Sequence, residues 1–162
     1  MFVTERLPQL GALGGLAGAD AACQTRATAA GLPGTYMAWL SDSSATPASR
    51  FTKSIMPYTL PRGETVAASW ADLTNGDALG HAIDQMANGA LFSGNGNTVW
   101  TNTLANGNAG GSSATGNCAN WTSAAPGIEG DIGRAAESTT LWTVGGFMQC
   151  AAEGRLYCFQ QR

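Results

Sequence analysis

Short apolar clusters separated by glycine, proline and small polar residues recur along the whole chain, and one stretch is long enough to read as a full helix. Residues 19–30 are alanine-rich and open near Gly18 and Asp20. They are followed by Gly31, suited to a left-handed cap, and by Pro33. Cys23, Ala27 and Ala30 share one face at helical spacing, which predicts that this face meets the core with Cys23 aimed at a neighbouring strand. Phe2-Val3-Thr4 is a short β-prone start ended by Pro8, and Tyr36-Met37-Ala38-Trp39-Leu40 predicts a strand. Residues 41–49 read as a polar loop, and residues 51–60 and 65–68 as short extended pieces around Pro61-Arg62-Gly63. Ser69, three residues before Asp72, predicts a capped helical turn through Leu73 that Asn75-Gly76 closes. His81 lies in Leu79-Gly80-His81-Ala82-Ile83, whose alternation predicts a half-buried strand histidine.

The second half is less periodic. From Gln85 to Ile128 there is no charged residue, and turn-forming Gly, Asn, Ser and Thr dominate around one β-prone island, Thr98-Val99-Trp100-Thr101. Residues 97–117 are too long for an ordinary connection, so they read as either a functional surface loop or a poorly ordered one. Residues 118–122 predict a strand, and Pro126-Gly127 opens an irregular segment to Thr140. Residues 141–143 and 146–150 lead into a last strand at 155–159. Neither an internal repeat nor an interdomain linker is visible, so one α+β domain over residues 1–162 is expected, with short mixed strands and one early helix.

Composition narrows the partners. Hydrophobic residues make up 44% of the 162, enough for a core. Charged residues make up only 12%, about half the globular average of roughly 25%, so the surface must be neutral and polar. A net charge of −3 gives no basic surface to displace counterions from phosphates, which excludes nucleic acid as an expected partner. No apolar run is long enough to span a membrane, and no direct membrane insertion is expected. The opening Met1-Phe2-Val3-Thr4-Glu5-Arg6 lacks the basic and apolar regions of a signal peptide, so the chain reads as either cytosolic or an excised mature domain.

The cysteines decide between those two. Cys23, Cys118, Cys150 and Cys158 contain no Cys-x-x-Cys pair, and His81 is the single histidine, so neither a structural zinc site nor a Cys–His nucleophile is expected. An even number of cysteines without such company reads as two disulfides and an oxidising, secreted or cell-surface location. Four cysteines allow three pairings: a hairpin turning at Gly154 would set Cys150 opposite Cys158, while loop-closure entropy leans towards the longer loops without choosing.

Gly18-Ala19-Asp20-x-x-Cys23, Gly31-Leu32-Pro33-Gly34-Thr35-Tyr36-x-Ala38-Trp39-Leu40-Ser41, Ser69-Trp70-x-x-Leu73, Val99-Trp100, Cys118-x-x-Trp121 and Leu156-Tyr157-Cys158-Phe159 follow one another in that order. In this they resemble the endostatin-like branch of the C-type-lectin-like fold, and most closely a bacterial secreted family of that branch whose function is undetermined. The resemblance implies a mixed sheet with an early helix and nested disulfides, Cys23 to Cys158 and Cys118 to Cys150. Calcium-dependent members of that fold carry Glu-Pro-Asn or Gln-Pro-Asp and Trp-Asn-Asp segments, because a hard cation needs several oxygen ligands. Here the six prolines lie in other contexts and Trp142-Thr143-Val144 stands where Trp-Asn-Asp would be. No calcium or other cofactor is therefore expected. The zinc histidines and heparin-binding arginines of endostatin have no counterpart in one His81 and eight scattered basic residues.

The expected function is a binding module on a cell surface or outside the cell, acting in adhesion without calcium. It would present the long neutral loop to a glycan or protein partner, with Trp100, Asn102, Asn106, Asn108, Asn120 and Trp121 forming an aromatic face fringed by hydrogen-bonding groups. Against this, each of the five tryptophans also fits the core. The alternative is a subunit that self-assembles on a surface, where low charge opposes packing little. An enzyme is not expected: Asp72 with Asp77 and Glu129 with Asp131 are the acid-base pairs to consider, in cap or turn settings, and no nucleophile elbow or phosphate loop occurs.

Overall fold

The computed structural model describes residues 1–92, 97–111 and 116–162. The architecture is mixed α+β, with one long helix, α1 (Gly15–Ala29), among short turns and small antiparallel sheets. Helix α1 begins four residues earlier than its composition suggests, after Gly14 in a left-handed conformation. Ala19, Cys23 and Ala27 are its buried residues, one per turn. The end is as expected: Gly31 is left-handed (φ 70°), its N–H donates to Thr28 O and Leu32 N–H to Ala27 O, which satisfies the last carbonyls. Asp20 has a different task from opening the helix. Its carboxylate accepts from Ala38 N at 2.8 Å and pairs with Arg50 Nη1 at 2.8 Å, while Gln24 Oε1 accepts from Tyr36 N at 2.9 Å. Polar groups of α1 thus cover the edge amides of Tyr36 and Ala38, which would otherwise be open to another chain.

Three strands, β1 (Phe2–Val3), β8 (Tyr157–Gln161) and β2 (Thr35–Ala38), form the first sheet in the order β1-β8-β2, antiparallel throughout. Side chains alternate across it, and both faces are buried. Val3, Trp39, Tyr157 and Phe159 enter one apolar cluster. Phe2, Tyr36, Ala38, Leu156 and Cys158 enter the other, beneath Cys23 of α1. Trp39 organises the first cluster, with ring centroids of Phe51, Trp70, Trp142 and Phe159 between 5.0 and 6.0 Å from its own. The segment read as a polar loop at 41–49 ends in a capped turn, α2 (Pro47–Arg50). The turn from Ser69 forms as expected, α3 (Trp70–Leu73), with Ser69 Oγ accepting from Asp72 N. Between these turns a small hairpin, β3 (Tyr58–Thr59) and β4 (Thr65–Ala67), reverses at Pro61-Arg62-Gly63.

The second sheet runs β5-β6-β7, with β5 (Thr98–Trp100), β6 (Glu129–Arg134) and β7 (Gly146–Gln149). Trp100 N donates to Arg155 O and Arg155 N to Thr98 O, both at 3.0 Å, which joins this sheet to the residues entering β8. Strand β6 corrects the expectation of an irregular segment after Pro126. Its sequence Glu-Gly-Asp-Ile-Gly-Arg has little β propensity, yet the glycines are what let it sit there. A Cβ on Gly130 would lie 2.6 Å from both Cys118 Sγ and the Trp100 ring, and one on Gly133 would overlap the Trp142 carbonyl. Two further expectations are corrected. Residues 118–122 form a helical turn in place of a strand. His81 lies on a bend, its Nδ1 2.7 Å from Ala82 O and 3.8 Å from Asp84 Oδ1.

Cys23 bonds Cys158 and Cys118 bonds Cys150, as the resemblance implies; no cysteine is free. Among the described residues no helix is long and apolar enough to cross a membrane. The first disulfide spans 135 residues and the second 32. In the loop-closure model, replacing the Cys23–Cys158 pair by alanines costs about 5 kcal/mol and replacing Cys118–Cys150 about 4 kcal/mol. Urea unfolding of the two double variants measures both, and a larger loss from the shorter loop would contradict this ranking.

Candidate functional site

Residues 118–121 are the most unusual backbone among the described residues. Cys118, Ala119, Asn120 and Trp121 have φ of 48°, 53°, 57° and 62°, so four successive non-glycine residues wind left-handed. Each such residue costs roughly 1–2 kcal/mol relative to the right-handed form. Three restraints hold the turn. Cys118 is bonded to Cys150, and Trp121 is fully buried with Nε1 donating to Ser41 O at 2.8 Å. Asn117 exchanges side-chain bonds with Asn120: Asn120 N donates to Asn117 Oδ1 at 3.1 Å, and Asn117 Nδ2 donates to Asn120 Oδ1 at 3.0 Å. Asn120 Oδ1 also accepts from Ser43 N at 3.0 Å. Both lone pairs of that oxygen are used, and the exposed Asn120 presents its NH2 group outward.

Segment 41–50 links this turn to the long neutral loop. Ser44 N, Ser44 Oγ and Ala45 N all donate to Asp42 Oδ1 at 2.7 to 2.8 Å. Burial raises the Asp42 pKa, but these hydrogen bonds and nearby Arg50 outweigh it and hold the carboxyl below its ordinary value. On the other side Ala48 N donates to Gly107 O at 2.8 Å. Gly107 lies on a tight reversal, where Leu104 N donates to Asn108 O and Gly107 N to Leu104 O, and Thr103 bridges Ala109. A Cβ on Gly107 would meet the Trp70 ring at 3.2 Å, so the reversal rests directly on α2 and Trp70. The described part of residues 97–117 is therefore a folded loop seated on the core. Residues 112–115 lie outside the described residues.

The six residues expected to bind a ligand divide. Asn106, Asn108 and Asn120 are exposed, and segment 41–50 forms a rim that bonds to the Asn120 side chain through Ser43 N and to Gly107, between the other two, through Ala48 N. Trp100 and Trp121 are fully buried, with ring centroids 5.7 Å apart, and Asn102 is 8% exposed. An aromatic face needs exposed rings, so the expectation for Trp100 and Trp121 is corrected: they support the rim from within. Asn102 Nδ2 donates to the same Ser41 O that Trp121 engages. Behind it Thr103 Oγ1 donates to Thr101 O, so Ser41 Oγ is the donor to Thr103 Oγ1. Thr101 Oγ1 donates to Thr143 O, Thr143 Oγ1 to Thr103 O, and Trp39 Nε1 to Thr143 Oγ1, each at 2.7 to 2.8 Å. Such a satisfied buried network resists displacement because every broken bond would strand a polar group. It runs from the Trp39 cluster to the rim.

The two carboxylate pairs considered from the sequence, Asp72 with Asp77 and Glu129 with Asp131, lie in different settings. Asp72 Oδ2 accepts from Ala68 N as part of its cap, and Asp77 is exposed on a turn. Glu129 and Asp131 are two apart on β6 and so share a face. Asp131 is 1% exposed, packed so closely beneath Gly111 and Gly116 that a Cβ at either would overlap its carboxylate. Among the described residues no group of three or more His, Cys, Asp or Glu is placed to hold a metal ion. Sequence reasoning missed Asp42, Ser43 and Asn117. The signal was present, since Asp-Ser-Ser favours a side-chain-capped turn. Compared with family models and with curated proteins, the chain matches none.

Two outcomes test this geometry. Ala119→Gly, which would weaken a right-handed helix, should stabilise the protein by about 1 kcal/mol because glycine adopts positive φ without penalty; a lowered melting temperature would contradict the left-handed turn. Asp42 titrates below its ordinary value of 3.8, so between those two pH values the unfolded chain takes up a proton that the folded chain does not, and stability falls on acidification. Its contribution is full above about pH 4 and is lost as pH drops through the folded value. Amide shifts of Ser44 and Ala45 followed by NMR should report that late midpoint, which Asp42→Asn removes.

Proposed function

We propose that the protein is an extracellular or cell-surface binding module of C-type-lectin-like, endostatin-like build. It presents a rigid, neutral polar rim to an uncharged glycan or a protein surface, without calcium. Two disulfides, one tying the early helix to the last strand, support the fold reading and an oxidising location. The observation that carries the function is the left-handed turn at residues 118–121. Local strain of this kind persists where the surroundings over-determine it, and it concentrates at ligand sites. Here a disulfide, a buried indole and an amide pair hold the exposed Asn120 in place, and segment 41–50 bonds both to Asn120 and to Gly107, between the exposed Asn106 and Asn108. Fixed neutral donors and acceptors match sugar hydroxyls or peptide groups, and little side-chain entropy remains to be lost on binding.

Binding to an array of charged and uncharged oligosaccharides and to intact cells tests the reading. Asn120→Gly removes the amide while keeping the backbone conformation, and Asn106→Ser with Asn108→Ser trims the other side. Each is expected to weaken binding about tenfold or more, with thermal melts verifying that each variant folds. Unchanged binding in both variants, or binding abolished by a calcium chelator, would overturn it.

A further inference from the structure

We propose that Asn75 is a site of spontaneous deamidation, the one of three described Asn-Gly pairs that the fold leaves reactive, and that the chain gains a carboxylate there as it ages. Asn75-Gly76, Asn88-Gly89 and Asn106-Gly107 are alike in most respects. Each asparagine is exposed, and each glycine is left-handed, with φ of 89°, 81° and 81°. In each pair the asparagine Oδ1 accepts from the backbone N–H two residues on, that of Asp77 at 2.8 Å, Ala90 at 3.0 Å and Asn108 at 3.0 Å. The pairs differ at the glycine nitrogen. Gly89 N donates to Met86 O at 2.8 Å and Gly107 N to Leu104 O at 2.9 Å, and both glycines are buried. Gly76 is exposed, and its N–H donates to no group among the described residues. A fourth pair, at 95–96, includes residues outside the described ones.

The glycine nitrogen is the nucleophile. Its proton passes to hydroxide, the nitrogen bonds to Asn75 Cγ, and the Cγ–Nδ2 bond breaks as the amide nitrogen takes a proton from water and leaves as ammonia. A five-membered imide remains. Water then opens either of its carbonyls, giving aspartate in the ordinary backbone or an isoaspartyl link that runs through Cβ and Cγ. The sum is one asparagine and one water converted to one acid and one ammonia, with nothing oxidised or reduced. As Cγ is attacked, negative charge develops on Oδ1, where the Asp77 N–H already donates, so the turn supplies its own oxyanion donor. Nothing lies within 4 Å of the place a Gly76 Cβ would take, which leaves the peptide plane free to rotate towards Cγ. At Gly89 and Gly107 the same rotation and the same loss of a proton break a buried hydrogen bond. Gly107 is pinned further, since a Cβ there would lie 3.2 Å from the Trp70 ring and 3.3 Å from Ala48 N. The rim amide Asn106 is thus preserved by its glycine, while Asn75 adds negative charge to a chain of net charge −3.

Peptide mapping by mass spectrometry tests this on the full chain aged at mildly alkaline pH, once folded with disulfides intact and once reduced in urea. In the folded chain Asn75 should convert about tenfold or more faster than Asn88 and Asn106, with both aspartyl and isoaspartyl products. In the unfolded chain, where all three glycine nitrogens are equally free, the three rates should converge. Equal rates in the folded chain, or an Asn75 that stays intact there while converting in urea, would overturn the proposal. So would the same ranking in both samples, which would assign it to neighbouring sequence in place of the fold.

Discussion

Strand β8 is the constraint on which the other parts rely. It is hydrogen-bonded on one side to β1 and on the other to β2, and its two faces send Tyr157 and Phe159 into one apolar cluster and Cys158, with the preceding Leu156, into the other. Cys158 is further bonded to Cys23 of α1. A segment held in four directions can leave only if the whole structure opens. Tyr157 adds a further tie: its hydroxyl, fully buried, donates to Trp142 O, and burial raises its pKa well above the usual value. The residues just before β8 bond to β5, so the second sheet inherits the same anchorage.

The rim is rigid for reasons that lead back to that anchorage. Trp39 leaves β2 beside β8, packs on Phe159 and Trp142, and donates to Thr143. From Thr143 the buried hydroxyls of Thr101, Thr103 and Ser41 carry the network to Trp121 and Asn102. The left-handed turn above them is expensive on its own. The second disulfide and the buried indole make any alternative conformation more expensive still, and the exposed asparagines are displayed on a frame that does not need to rearrange.

How much of this was legible depended on whether a feature is local. The cap of α1 at Gly31, the Ser69 turn and the β-prone ends are written in neighbouring residues, and they form as expected. Strand β6 was illegible because Gly130 and Gly133 are chosen by what packs against them, Trp100, Cys118 and Trp142, all distant in sequence. The turn at residues 118–121 lies in a stretch, 118–122, whose pattern predicts a strand, because Cys-Ala-Asn-Trp carries no propensity for a left-handed run apart from the tolerance of asparagine. Its conformation is imposed by a disulfide and a tryptophan pocket. Trp100 and Trp121 had two readings, ligand face and core, and only their burial chooses the core. Asn106, Asn108 and Asn120 are identifiable as exposed loop polar groups, yet the bonds to Asn120 and to Gly107 come from segment 41–50, of which residues 41–49 read as a polar loop.

Native-state hydrogen exchange tests the dependence on β8 most directly. The account predicts that the amides of Tyr157, Cys158 and Phe159 are the slowest in the molecule and exchange only through global unfolding, with the amide of the exposed Ser43 protected well beyond its exposure. Exchange of the β8 amides through a local opening, while α1 and the second sheet remain protected, would contradict it.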